Sequence, residues 1–144
     1  DVAVTGVQTC ALPIWTELSY TGQFTRWDMR ASLTVQDPIN TVTGAPLRRR
    51  GSTFGNLFVN TSVAGWRLGS ELIMSGTRSD NHITTSAALT LGSYKLVNFT
   101  ARRELSKQVF IAARLENAFD EKYQLAHGYN VPGRGLFLTL GWQQ

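Results

Sequence analysis

The chain has 144 residues, 42% apolar and 17% charged, and both shares fall below the roughly 45–50% and about 25% of ordinary globular domains. What remains is rich in Gly, Ser, Thr and Asn, a mixture that suits β-strands with one polar face. The formal net charge of +4 comes from dispersed basic residues without any RNP, zinc-finger or helix-turn-helix pattern, so nucleic acid is not an expected partner.

Residues 1–14 differ from everything after them. They show no clean alternation and carry the single cysteine, Cys10, which supports neither a disulfide nor a metal site. The words Gly6-Val-Gln-Thr-Cys-Ala-Leu-Pro-Ile14 read as a non-native leader of translated adapter sequence, to be set aside from fold reasoning. The alternative is a strand interrupted by Pro13. The native unit is then 15–144.

From Trp15 on, apolar and polar residues alternate with the period of a strand. In 26–36 the residues Trp27, Met29, Ala31, Leu33 and Val35 share one face, with Arg26, Asp28, Arg30, Ser32, Thr34 and Gln36 on the other. The pattern recurs in 66–76, 109–116 and 135–142, and less cleanly in 15–22, 52–62 and 94–103. Seven strands are therefore expected, most of them near the 9–11 residues that a tilted strand needs to cross a bilayer. No apolar run reaches the 18 or so residues of a membrane-spanning helix. The connections alternate in length: 22–25, 63–65 and 104–107 are tight turns, whereas 37–50, 77–92 and 117–134 are long loops. Short turns at one end and long loops at the other describe an outer-membrane barrel. The expected fold is all-β, an antiparallel transmembrane β-barrel present as an incomplete piece of about seven strands. A passive porin, an autotransporter barrel or a soluble β-barrel binding protein are the alternatives.

Counting back from the final strand sets Tyr20, Trp27, Trp66 and Trp142 near the short-turn rim of the apolar face, where an interfacial aromatic girdle belongs. A soluble core filled by the same rings is the competing reading. The opposite, lumen-type face carries Glu17, Asp28, Arg30, Arg67, Glu71, Arg102, Arg114 and Glu116. Isolated charges are costly to bury, so these need water, one another or an inserted domain.

Catalytic chemistry is not indicated. His82 and His127, the only histidines, fall in long loops and read as solvated side chains, and no G-x-S-x-G nucleophile elbow is present for a rim lipase. Asp80 with His82, and Asp120-Glu121 with His127, are too sparse for a metal site; no cofactor is expected. Binding is the better reading, because recognition residues concentrate in loops held by a rigid scaffold. In the last loop Tyr123, His127, Tyr129 and Asn130 offer apolar bodies with polar tips suited to a bulky ligand.

The last thirty residues carry the most specific words. Glu116, Asn117, Phe119, Asp120, Lys122 and Tyr123 are followed by Gly128, Tyr129, Pro132, Gly133 and Arg134, then by a strand ending at Trp142. In this order they resemble the closing hairpin of TonB-dependent outer-membrane receptors. Gly65-Trp66-Arg-Leu-Gly69 and Tyr94-Lys-Leu-Val-Asn98 are similar to phrases of the vitamin B12-type receptors, and siderophore receptors share much of this. Two departures are Ala118, where Leu is usual, and Gln143-Gln144 after the aromatic on which the family usually ends. The resemblance implies import of a scarce nutrient such as cobalamin or an iron-siderophore, energised by TonB through an N-terminal plug that fills the lumen. Seven strands cannot close a plugged barrel of about 22, and unpaired strand edges are prohibitive within a membrane. The chain is thus expected to be the C-terminal third or so of a larger protein. Its implied partners are outer-membrane lipid, lipopolysaccharide, the plug, TonB and the nutrient. Within the motif, 116–120 is expected to shape the exit from a strand, since Asn and Asp favour turns, and Pro132, Gly133 and Arg134 the entry into the next. Arg48, Arg49 and Arg50 form the only basic run, either a solvated loop edge or donors to lipopolysaccharide phosphates.

Overall fold

A computed structural model describes residues 15–40 and 42–142; the expectation of a non-native leader over 1–14 lies outside them. The described chain is all-β. Its strands are β1 (Trp15–Phe24), β2 (Trp27–Gln36), β3 (Thr53–Val63), β4 (Trp66–Ser75), β5 (Arg78–Asn81), β6 (Ala88–Leu91), β7 (Tyr94–Glu104), β8 (Val109–Glu116) and β9 (Gly135–Trp142). Seven of them form one antiparallel meander in the order β1-β2-β3-β4-β7-β8-β9, and β5 and β6 pair separately as a short hairpin. The seven-strand expectation holds. The expected long loop over 77–92 is corrected: it contains that hairpin, inserted between two neighbours of the main sheet.

The alternation in sequence becomes two continuous faces because residues directly opposite on paired strands point the same way. Trp27, Met29, Ala31 and Leu33 stand opposite Phe24, Gly22, Tyr20 and Leu18 of β1, and opposite Thr61, Val59, Leu57 and Gly55 of β3. The same face continues through Trp66, Leu68, Leu72 and Met74 of β4 and Val97, Phe99 and Ala101 of β7. It ends on Ile111, Ala113 and Leu115 of β8, opposite Leu140, Leu138 and Leu136 of β9. A one-residue slip in any pair would turn a whole apolar row onto the polar face, so the pattern fixes the register.

This apolar face has no protein cover in the described chain. Leu136, Leu138 and Leu140 are 65%, 76% and 74% exposed, and the buried large apolar side chains among the described residues are Leu91 and Leu96. Contiguous apolar surface on this scale marks a contact with membrane or partner rather than with water. The polar face holds Glu17, Asp28, Arg30, Arg67, Glu71, Arg102, Arg114 and Glu116. There Glu104 accepts from both Arg67 (2.6 Å) and Arg102 (3.0 Å), Arg114 pairs with Glu116, and Glu71 accepts from Asn98 at 2.7 Å. The Arg–Glu pairs are substantially exposed and contribute little stability while solvated.

The short connections follow local chemistry. Ala64 and Gly65 both have positive φ (50° and 78°), the signature of the two-residue turn whose twist suits a hairpin. Residues 25–26 make the short turn between β1 and β2, with Thr25 at a positive φ of 51°. In 105–108, one residue later than expected, the Ser106 hydroxyl accepts the N–H groups of Gln108 and Val109. Trp27, Trp66 and Trp142 all end strands at this rim, but Tyr20 does not. It lies within β1 opposite Ala31, and its ring lies along the strand over Gly22 towards the turn, in space that any Cβ at position 22 would fill.

Candidate ligand-binding site at the long-loop end

The three long connections are tied together by two side chains on the inward face of β5. Asp80 is 2% exposed. Its Oδ2 accepts the His127 N–H of the last loop at 2.7 Å, and its Oδ1 accepts from the Arg49 guanidinium of the first loop at 3.2 Å. Two positions earlier, buried Arg78 donates to the Gln124 carbonyl at 2.8 Å and lies 4.9 Å over the Tyr94 ring. Arg49 also donates its backbone N–H to Ser79, and Gly51 bridges to Arg78. One short strand therefore fastens both flanking loops into a single cap. The Asp80 carboxyl is held below the usual carboxylate range, first by the His127 N–H, then by the Asn81 N–H and Arg49, against an opposing effect of desolvation. The sequence brings Asp80 forward only beside His82, as too sparse for a metal site, and Arg78 not at all, since four residues reading Arg-Ser-Asp-Asn carry no periodic signal.

The basic run over 48–50 is accordingly not one uniform solvated edge: Arg49 is committed to Asp80, while Arg48 and Arg50 remain exposed. The two histidines also meet one another. Their rings pack at 4.6 Å between centroids, joining the hairpin tip to the last loop. His82 Nδ1 faces the Thr84 and Thr85 N–H groups at 3.2 and 3.3 Å, and His127 Nδ1 faces the Ile83 N–H at 3.4 Å. Among the described residues no three His, Cys, Asp or Glu side chains converge on a common point.

The closing motif works as a pair of knots. Asn117, 5% exposed and at a φ of 47°, belongs to the residue types that tolerate the left-handed region. Its side chain accepts the Glu121 N–H at 2.8 Å and donates to the Glu121 carbonyl at 3.0 Å, while its own N–H donates to Asn98 at 2.8 Å. Asp120 accepts the Arg134 N–H at 3.0 Å and the Lys122 ammonium at 2.9 Å; Lys122 foremost, and then that N–H, lower its pKa. A Cβ at position 133 would stand 2.5 Å from Asp120 Oδ1, so Gly133 is what lets the chain approach. Phe119 is 75% exposed. Replacing Asn117 with Ala leaves both Glu121 backbone groups unpaired in a half-buried corner and should lower stability by about 1–3 kcal/mol. A denaturant titration in detergent measures it, and an unchanged midpoint would remove Asn117 from this role.

Between the β5–β6 hairpin and the last loop lies an open cleft of about 840 Å³. Tyr123, His127 and Asn130 line it together with Leu89, Leu91 and Gln124. Tyr129 does not; it stands 60% exposed outside the cleft. Tyr123 stacks on Tyr94 at 4.4 Å, and burial, with Tyr94 and Glu116 adding to it, pushes its phenol pKa up. It therefore remains a neutral donor at physiological pH. The charged side chains on the wall are Glu121 and Lys122, and the ammonium of Lys122 is already paired with Asp120. Such a surface offers aromatic and amide contacts rather than acid–base chemistry.

This geometry can be set beside known proteins. No family model matches the chain. Over 102 residues, 69% of the chain and 17% of the relative, it is 26% identical to the vitamin B12 transporter BtuB of Vibrio cholerae serotype O1. The siderophore receptor PiuA of Acinetobacter baumannii superposes with a TM-score of 0.72 at 16% identity, over 89% of this chain and 21% of that one. The chain has the fold of a segment of these receptors' β-barrels. The ferripyoverdine receptor of the outer membrane of Pseudomonas aeruginosa superposes equally well, with a TM-score of 0.72 at 17% identity over 88% of this chain and 19% of its own. The chain spans about a fifth of the length of the proteins it matches. Its seven-stranded sheet corresponds to part of a β-barrel wall, which accounts for an antiparallel meander with two faces and no interior of its own.

Proposed function

We propose that the protein carrying this segment is a receptor of the bacterial outer membrane that imports a bulky, scarce nutrient, with energy supplied by TonB through a plug domain. The observation that carries the reading is the tied cap of three long loops, with an aromatic-lined cleft, above strands whose outward face is predominantly apolar. On this reading the short turns are periplasmic, Trp27, Trp66 and Trp142 form part of the interfacial girdle, and the polar face looks onto the plug. Arg48 and Arg50 reach lipopolysaccharide phosphates from the cap.

The charge of the cleft favours a ligand class. Anionic chelates are held by clusters of arginine or lysine. Here Lys122 is paired with Asp120, and Arg49 and Arg78 are spent within the cap. A large electroneutral ligand rich in amides, as cobalamin is, fits such a wall better than an iron-siderophore carrying net negative charge. Binding of cyanocobalamin to the intact protein in detergent should be measurable by equilibrium dialysis, and Tyr123→Ala should weaken it roughly tenfold by removing a stacked aromatic wall. Saturable binding of a ferric siderophore with none of cobalamin would replace the ligand. Uptake that persists in cells without TonB would replace active transport by a passive barrel.

A further inference from the structure

We infer that Arg103, backed by Trp66, binds the phosphate of a phospholipid at the short-turn rim of the apolar face. The inference rests on the outer-membrane reading above and adds a site to it.

The register carries the argument. On the apolar face traced across all seven strands, the charged residues among those described are Lys95 and Arg103, both on β7. They lie eight positions apart, about 26 Å along a strand rising ~3.3 Å per residue. A tilt of about 40° reduces that to roughly 20 Å, and two long side chains reaching outward bracket an apolar band about 25 Å tall. Every outward position between them is uncharged: Val97, Phe99 and Ala101.

Arg103 is the better built of the two ends. It pairs directly across the ladder with Trp66, and its guanidinium carbon lies 5.5 Å from the centre of that indole. It takes part in none of the described ion pairs, because Glu104 points to the other face and is taken by Arg67 and Arg102. An unpaired guanidinium on an apolar wall is expensive in hydrocarbon. At the headgroup plane it meets a phosphodiester whose two oxygens match its planar fork, while the indole occupies the interface. Lys95, opposite Met74, has no ring behind it and presents a single mobile ammonium. The short-turn rim is the periplasmic one in an outer-membrane barrel, and this selects phospholipid over lipopolysaccharide.

The test is native mass spectrometry of the intact protein released from mild detergent and titrated with phosphatidylglycerol. Wild type should retain tightly bound lipid, and Arg103→Gln should weaken the tightest site about tenfold, the scale of one charge-assisted hydrogen-bonded contact. Trp66→Leu should weaken it less, and Lys95→Gln should leave it intact. Equal retention by wild type and Arg103→Gln, in protein that still inserts into vesicles, overturns the site and leaves the outer-membrane reading standing. Loss of lipid A binding rather than phosphatidylglycerol binding in Arg103→Gln overturns the phospholipid assignment. Failure of the wild type to enter vesicles at all defeats both.

Discussion

Asp80→Ala should weaken ligand binding by roughly tenfold or more while leaving the main sheet folded. The carboxylate touches both flanking loops of the cap at once, through Arg49 on one side and the His127 N–H on the other. Its removal leaves a buried N–H unpaired and a guanidinium without its anion, and each such loss favours an opened loop. His127 lines the cleft, so an opened loop changes the site itself, and a pre-organised site becomes one that must be reassembled on binding. The amide of residue 127 should lose protection from hydrogen exchange in the variant, whereas amides of β3 and β4 should not. Asp80→Asn keeps the shape and one acceptor oxygen but loses the charge, and should fall between wild type and Asp80→Ala. The pH dependence follows from the lowered pKa of Asp80. A carboxylate whose folded pKa lies below its unfolded value of about 3.9 contributes stability that is full above that unfolded value. The contribution is lost as pH falls through the depressed folded value. Cap opening by acid should therefore begin only below about pH 4 in wild type, and Asp80→Asn should show no such transition. Opening with the same acid midpoint in both would assign the transition to other groups.

The two halves of the molecule differ in how far their residues announce them. The sheet is legible because each strand solves the same local problem. Leu136, Leu138, Leu140 and Trp142 must leave water on one side while Phe137 and Thr139 face the other, and strict alternation is the only backbone solution. The closing motif is legible for a similar reason: Asn117 and Asp120 act within a few residues of themselves or on the start of the next strand, so the whole device lies in one word of sequence. The hairpin of β5 and β6 is held differently. Arg78 and Asp80 find their partners at positions 49, 94, 124 and 127, and nothing local to Arg-Ser-Asp-Asn distinguishes two buried charges from two solvated ones. The contact between the histidines is hidden for the same reason, because the ring that packs on His82 lies 45 residues away in sequence. Tyr20 shows the limit within a strand: alternation gives its face, but its distance from the rim depends on where β1 ends, two residues beyond the expected boundary.

Leu138→Arg carries the largest expected effect, and its neighbour supplies the control. Leu138 sits mid-strand on the apolar face opposite Ala113, 76% exposed; Thr139 sits beside it on the polar face opposite Ala112. An arginine on the lipid-facing side at the bilayer midplane costs about 2–4 kcal/mol, falling towards zero at the interfaces, whereas lumen-side changes are tolerated. Leu138→Arg should therefore lower folding stability in phospholipid vesicles by that amount, and Thr139→Arg by less than about 1 kcal/mol, both read from reversible denaturant titrations of the intact protein. Trp142→Arg, at the rim, should cost less than Leu138→Arg, because the bilayer term weakens with distance from the midplane while loss of the indole is bounded by its packing. A soluble protein with the same sheet predicts a different order. Leu138 would then lie either in a core, where Trp142→Arg is as damaging as Leu138→Arg, or in water, where Leu138→Arg costs nothing. The ranking of three substitutions along two adjacent rows thus decides what solvent the apolar face was built for, without knowledge of the ligand.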